Sequence, residues 1–213
     1  MKNIIFCGTG GFAREVYCWV KQSEKKQKIK FKGFLDQNST LLKKFNLTKY
    51  YLGSENNYNF KKNDFIVIAI ADVNLRKKIF NKLNLKKVNF FNYIHDTAII
   101  GNNVIFGRGN IICPNVVFTT NIRIGSSNIF NINSTVGHEV KIDSFNTFNS
   151  HCDITGCSTI KKNNYFGSSV ILLPKCKVGN NNKVSAGSVV YKGIKENSIY
   201  LGNPAKYIGK NKI

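Results

Sequence analysis

The amino-acid sequence predicts a small parallel α/β domain followed by a parallel β-solenoid, and two patterns carry this prediction. Over residues 1–92, short apolar runs alternate with helical patterns. From Ile94 to Val190, an apolar residue recurs at every sixth position, and residues 193–213 leave that period. We therefore expect a Rossmann-like domain at 1–92, a solenoid at 93–192 and a C-terminal extension at 193–213.

The first domain begins with an apolar run, IIFC, followed by a glycine-rich turn and a helical pattern. A second strand, IKFKGFLD, ends at Asp36, and a third, DFIVIAIAD, precedes the helical pattern VNLRKKIFNKL. This βαβ order is typical of a parallel sheet, in which ligands bind beyond the carboxyl ends of the strands.

The turn GTGGF is a candidate ligand site at the first of these strand ends. Its glycines allow close approach of a ligand, and free N–H groups at a helix start favour phosphate or another polar acceptor. The turn is not the complete GxGxxG fingerprint, so a plain tight turn stays open. The expected substrate-binding residues are Gly8, Gly10, Gly11, Phe12, Asp36 and Gln37.

The six-residue period covers seventeen consecutive apolar positions, and glycine often follows the apolar residue. No helix repeats at six. Short strands joined by turns at this period stack successive coils about 4.8 Å apart, which is a β-solenoid.

Composition excludes several classes of protein. The net charge of +21 comes almost wholly from dispersed lysines, which favours a solvated surface or an anionic small ligand over a nucleic-acid site. The six cysteines form no CxxC pair, so we expect buried reduced thiols and no metal. No apolar run approaches the length of a membrane span or completes a signal peptide, which predicts a cytoplasmic protein.

Taken together, GTGGFAREV, GFLD, IAIAD, the hexapeptides, NSTVGHE and GNPAK resemble the bacterial sugar acyltransferases with hexapeptide repeats. That family includes sialic-acid O-acetyltransferases and UDP-4-amino-sugar N-acetyltransferases. The resemblance implies a left-handed β-helix that forms a homotrimer, with acetyl-CoA between neighbouring β-helices. It also implies that the N-terminal domain holds the sugar or nucleotide-sugar acceptor.

The resemblance further implies roles for individual residues. His138 would be the general base, Glu139 would orient its imidazole, and Asn131 would lie in the active site. An imidazole is largely neutral near pH 7 and can accept a proton from an amine or hydroxyl. The expected cofactor-binding residues are Thr147, Gly156, Ser168, Ala186 and Lys206.

Two positions depart from the family's pattern. Relatives that acetylate amines often carry a second histidine where this chain has Thr147, and Phe12 replaces a histidine at the helix start. We expect an N-acetyltransferase acting on a nucleotide-linked amino-deoxy-sugar, with an O-acetyltransferase as the alternative and a non-catalytic sugar-binding solenoid as the third reading. His151 is a weaker candidate base, and His95 is expected at the first coil. A zinc site of all three histidines is disfavoured, since they lie on different coils or faces.

Overall fold

The computed structural model describes residues 1–211. Its first part is a four-stranded, fully parallel sheet in the order β2-β1-β3-β4. Its elements are β1 (Lys2–Cys7), α1 (Gly11–Gln27), β2 (Ile29–Leu35), α2 (Thr40–Lys44), a 3-10 turn (Thr48–Tyr50), β3 (Asp64–Ile68), α3 (Val73–Leu85) and β4 (Asn89–Phe90). No helix within residues 1–211 is long and apolar enough to cross a membrane.

The second part is a parallel β-solenoid with three faces, named here in the order in which the chain visits them. The first face holds Tyr93–Ile94, Ile111–Ile112, Ile129–Phe130, Thr147–Phe148, Tyr165–Phe166 and Lys183–Val184. The second face holds Ile99–Ile100, Val117–Phe118, Thr135–Val136, Asp153–Ile154, Ile171–Leu172 and Val189–Val190. The third face holds Val104–Phe106, Ile122–Ile124, Lys141–Ile142, Thr159–Ile160, Lys177–Val178 and Gly193–Ile194. The predicted fold class is confirmed.

The chain then forms an antiparallel hairpin of Ser198–Leu201 and Lys206–Lys210, which extends the first face. Strands on each face pair with those 18 residues away, so three hexapeptides make one coil. Each corner between faces contains one residue at positive φ per coil, such as Asn121, Glu139 and Cys157 between the second and third faces.

The six-residue positions form the core, except in the first coil, where Ile94 and Phe106 are only half-buried. Every such residue from Ile112 to Val190 is buried, and the rings of Phe130, Phe148 and Phe166 stack at 4.8 and 4.7 Å between centroids. Ile100 is 38% exposed, although the period predicted a core position. It belongs to the first coil, which has a neighbouring coil on one side only.

A column of asparagines, buried except for the half-buried Asn92, lies inside the corner between the third and first faces, and it was not predicted from the sequence. The side-chain oxygens of its first five members each accept a hydrogen bond of 2.8 or 2.9 Å from the backbone N–H of the asparagine one coil later. The side-chain oxygen of Asn182 accepts one of 3.0 Å from the N–H of Ser198. The column therefore satisfies buried backbone donors that the short strands leave unpaired. Its members are Asn92, Asn110, Asn128, Asn146, Asn164 and Asn182.

Replacing Asn128 by alanine is expected to lower the free energy of unfolding by about 2 kcal/mol, because it leaves the buried N–H of Asn146 without its acceptor. Urea unfolding measures this loss. Asn81→Ala, at an exposed position of α3, is the matched control and should change stability by less than about 0.5 kcal/mol. Equal stability of the two variants would contradict a stabilising role for the column.

Arg76 joins the N-terminal domain to the solenoid. It lies on α3 and is fully buried. Its guanidinium donates to the carbonyls of Ser127 and Asn146 on the solenoid at 3.0 and 3.1 Å. It also donates to Ile70 and Ala71 of its own domain at 2.8 and 3.0 Å. The domain is thereby held against the corner between the third and first faces.

Candidate active site

A candidate binding cavity of about 650 Å³ opens at the carboxyl ends of β1, β2 and β3. All six residues predicted to bind substrate line it: Gly8, Gly10, Gly11, Phe12, Asp36 and Gln37. The parallel order of the strands explains their meeting, since successive strand ends lie along one edge of the sheet.

Local hydrogen bonds fix the shape of this cavity. The Thr9 hydroxyl donates to Asp36 Oδ2 at 2.6 Å, and the backbone N–H of Gln37 donates to Asp36 Oδ1 at 2.7 Å. Gly8 has φ of +103°, and a Cβ there would lie 2.7 Å from Cγ1 of Ile70. Only glycine fits this position, so the turn keeps its open form.

Three further charged residues line the cavity and were not predicted from the sequence. Glu55 is 7% exposed and accepts hydrogen bonds from the Gln37 side-chain amide at 3.2 and 3.1 Å. Lys82 lies 3.6 Å from Glu55 Oε1, and Lys78 is one helical turn before Lys82. No strand end or motif marks Glu55 in the sequence. The cavity therefore offers hydrogen-bond acceptors at one side and cations along α3.

His138 lies at the corner between the second and third faces, two residues after the end of the strand Thr135–Val136. Its side chain is 61% exposed, and its Nδ1 lies 3.8 Å from Glu139 Oε2. Gly156 occupies the matching place one coil later, and a Cβ there would lie 2.6 Å from His138 Nε2. Because Gly156 has no side chain, the His138 imidazole can lie against the next coil.

The other candidates lie elsewhere on the chain. Asn131, Ser168 and Ala186 belong to the corner between the first and second faces, and Lys206 lies on the final hairpin. The Asn131 side chain accepts a hydrogen bond of 2.8 Å from the backbone N–H of Ile132. One chain therefore has its cavity in the N-terminal domain, and its His138 and its Ser168 region lie at two different corners of the solenoid.

Thr147, which is predicted to bind the cofactor, lies where the two domains meet. It is 1% exposed, and its hydroxyl donates to the carbonyl of Ala71 at 3.0 Å. This contact belongs to the junction between the two domains. The Thr147 hydroxyl therefore has its hydrogen-bond partner within the same chain, and the N-terminal domain covers it.

The remaining histidines lie on other corners. His151 sits at positive φ between the first and second faces. The ring of His95 lies 6.1 Å from that of Trp19, and burial lowers the His95 pKa. Among residues 1–211, the group that combines His, Glu and Cys ligand atoms at close range is His138, Glu139 and Cys157.

Comparison with known proteins begins with the first domain. Residues 3–83 match the family described as the PglD N-terminal domain. A putative acetyltransferase of Saccharomyces cerevisiae is 42% identical over 52 residues, which are 24% of this chain and 26% of that protein. A putative acetyltransferase of Staphylococcus aureus is 41% identical over 51 residues, with the same shares. The chain thus spans about a quarter of the length of these curated relatives.

Among solved structures, WeeI from Acinetobacter baumannii is 25% identical, with a TM-score of 0.85 over 98% of this chain and 100% of that chain. The N-terminal domain therefore matches the PglD N-terminal domain family, and the whole chain shares the fold of WeeI. Two less identical structures share this fold. PerB from Caulobacter crescentus, solved with CoA and GDP-perosamine, is 20% identical with a TM-score of 0.83 over 98% of each chain.

Another similar solved structure is the acetyltransferase domain of PglB from Neisseria gonorrhoeae, solved with acetyl coenzyme A. It is 21% identical with a TM-score of 0.86 over 97% of this chain and 99% of that chain. The similarity extends through both the N-terminal domain and the solenoid. The chain therefore shares its two-part fold with these solved structures.

Proposed function

We propose that this protein is an acetyl-CoA-dependent N-acetyltransferase acting on the amino group of a nucleotide-linked amino-deoxy-sugar in surface glycan biosynthesis. The observation that carries the proposal is the exposed His138–Glu139 pair, packed against Gly156, in a chain with the full domain arrangement of this family. The structures solved with CoA, acetyl-CoA and GDP-perosamine support the choice of substrates. The cavity beyond β1, β2 and β3 would hold the nucleotide-sugar. Both substrates are cytoplasmic metabolites, so we place the enzyme there.

In the proposed reaction, Glu139 accepts the N–H of His138 Nδ1 and leaves the lone pair on Nε2. As the sugar amine attacks the thioester carbonyl, Nε2 takes a proton from the amine, and CoA leaves as its thiol(ate). The backbone beside Gly156 would donate to the carbonyl oxygen as charge develops there. The transfer is direct and forms no acetyl-enzyme.

We further propose that the enzyme is a homotrimer. The cavity lies in the N-terminal domain, whereas His138 and the Ser168–Ala186 region lie at two different corners of the solenoid, so a single chain does not bring them together. Packing of neighbouring solenoids can set one chain's His138 beside another chain's Ser168 and Ala186. Asn131 and Lys206 would then contact acetyl-CoA or the acceptor from the neighbouring copy.

The alternative is a sugar O-acetyltransferase, and one observation favours it. Amine-acetylating relatives often use a second histidine at the position of Thr147, and here that hydroxyl is engaged with Ala71. An O-acetyltransferase would use the same base on a sugar hydroxyl. The two activities differ only in the acceptor.

The test is CoA release from acetyl-CoA with a panel of UDP-, GDP- and dTDP-linked 4-amino-sugars and free sialic acids. Turnover with an amino-sugar nucleotide supports the proposal. Turnover restricted to hydroxyl acceptors would select the alternative. No release with any acceptor, together with no binding of acetyl-CoA, would leave a sugar-binding solenoid.

Lys78→Met is expected to raise KM for the nucleotide-sugar about tenfold, because Lys78 lines the acceptor cavity and can pair with a phosphate. Both kcat and the KM for acetyl-CoA should change little. Steady-state kinetics measures all three, with Lys77→Met as the matched control one residue away. An unchanged KM for the acceptor would remove Lys78 from the binding site.

A further inference from the structure

His138 belongs to a cluster of three side chains that carry metal-ligating atoms. The imidazole Nδ1 lies 3.8 Å from Glu139 Oε2, and the Cys157 thiol donates to that same oxygen at 3.1 Å. One ligand atom from each of the three residues lies within 4.8 Å of the others. This combination of nitrogen, oxygen and sulfur ligands suits a borderline-soft cation such as Zn²⁺.

The solenoid itself holds these groups together. Cys157 is one coil after Glu139, and both residues have left-handed backbone, with φ of 61° and 60°. Their side chains therefore leave the same corner on adjacent coils. Ligand atoms around tetrahedral zinc lie roughly 3.3 to 3.8 Å apart, so small side-chain rotations at this exposed corner would close the site.

The surroundings leave room for a metal ion and its water. Cys157 and Glu139 also line an open cavity of about 400 Å³ along the third face. Arg123 and Lys141 line this cavity too, and their charge opposes a cation. Two anionic ligands, the Glu139 carboxylate and a Cys157 thiolate, would balance the charge of the ion. A fourth position stays open to water.

We propose that His138, Glu139 and Cys157 bind Zn²⁺ and that the bound ion switches the acetyltransferase off. An ion on Nδ1 of a neutral imidazole places the remaining proton on Nε2, which then has no lone pair to accept one from the acceptor. The ion also binds the Glu139 carboxylate, which then no longer orients the His138 imidazole. The inhibitory consequence rests on the proposed function, whereas the binding itself does not.

The first test is a spectroscopic titration of chelator-treated full-length protein with Co²⁺ alone. We expect one equivalent to produce ligand-field bands in the visible and a sulfur-to-cobalt charge-transfer band in the near ultraviolet. Cys157→Ser should abolish the charge-transfer band, whereas Cys18→Ser, at the exposed cysteine of α1, should retain it. Absence of the band in the wild type, or its survival in Cys157→Ser, would overturn the site.

The second test is inhibition of turnover by Zn²⁺. Serine keeps a hydroxyl that can donate to Glu139, so we expect Cys157→Ser to retain its basal rate. The Zn²⁺ concentration for half-inhibition should rise at least about tenfold in this variant, because a thiolate ligand is lost. Equal Zn²⁺ sensitivity in the wild type and Cys157→Ser would overturn the switch. Should the acceptor panel give no turnover, the cobalt spectra still decide the metal site separately from the proposed function.

Discussion

His138→Ala is expected to lower kcat by about 10² to 10⁴, because the acceptor then loses the group that removes its proton. KM for both substrates should change little, since the side chain is exposed at the corner and would act in the transition state. Steady-state CoA release measures both quantities. His138→Asn keeps a polar side chain of similar width and should lose the same activity.

The matched control for this prediction is His151→Asn. His151 is the rival base and has φ of 62°, a backbone conformation that asparagine tolerates. We expect wild-type kinetics from it. The reverse outcome, with His151→Asn inactive and His138→Ala active, would show that His151 is the base.

Arg76→Met is expected to cause the largest loss of stability, lowering the free energy of unfolding by about 3 kcal/mol. Four carbonyl groups, on two domains, lose the donors that the fully buried guanidinium supplies. Each unsatisfied buried acceptor costs about 1 to 3 kcal/mol, and removal of a buried charge offsets part of the sum. Burial lowers the pKa of Arg76, which reflects that cost of burying the charge.

Thermal and urea unfolding measure this loss, and Arg123→Met is the matched control. Arg123 is exposed on the third face, so its replacement should change stability by less than about 0.5 kcal/mol. The expected fall in melting temperature for Arg76→Met is roughly 6 to 12 °C in a protein of this size. Identical melting of the two variants would show that Arg76 does not hold the domains together.

The solenoid was predictable because a six-residue apolar period suits no helix and repeats through seventeen positions. The six cavity residues were predictable for a related reason, since the carboxyl ends of parallel strands meet along one edge. The exposure of Ile100 was not predicted, although it follows from the position of that residue on a terminal coil.

Other features depend on contacts that local patterns do not encode. Arg76 looks like an ordinary cation in VNLRKKIF, and only the docking of α3 on the solenoid buries it. The same docking covers Thr147, which the hexapeptide pattern alone would leave facing outward. Asparagines at intervals of 18 residues, beginning at Asn92, were a readable signal of the buried column once the coil length was known.

The proposed reaction transfers an acetyl group from acetyl-CoA to a sugar amine. The most direct measurement is mass spectrometry of the product formed from acetyl-CoA and a nucleotide-linked 4-amino-sugar, before and after treatment with mild base. We predict a singly acetylated nucleotide-sugar that survives the base, because an amide resists hydrolysis that cleaves an ester, and no such product with His138→Ala. A base-labile product, or the same yield from His138→Ala, would contradict the account.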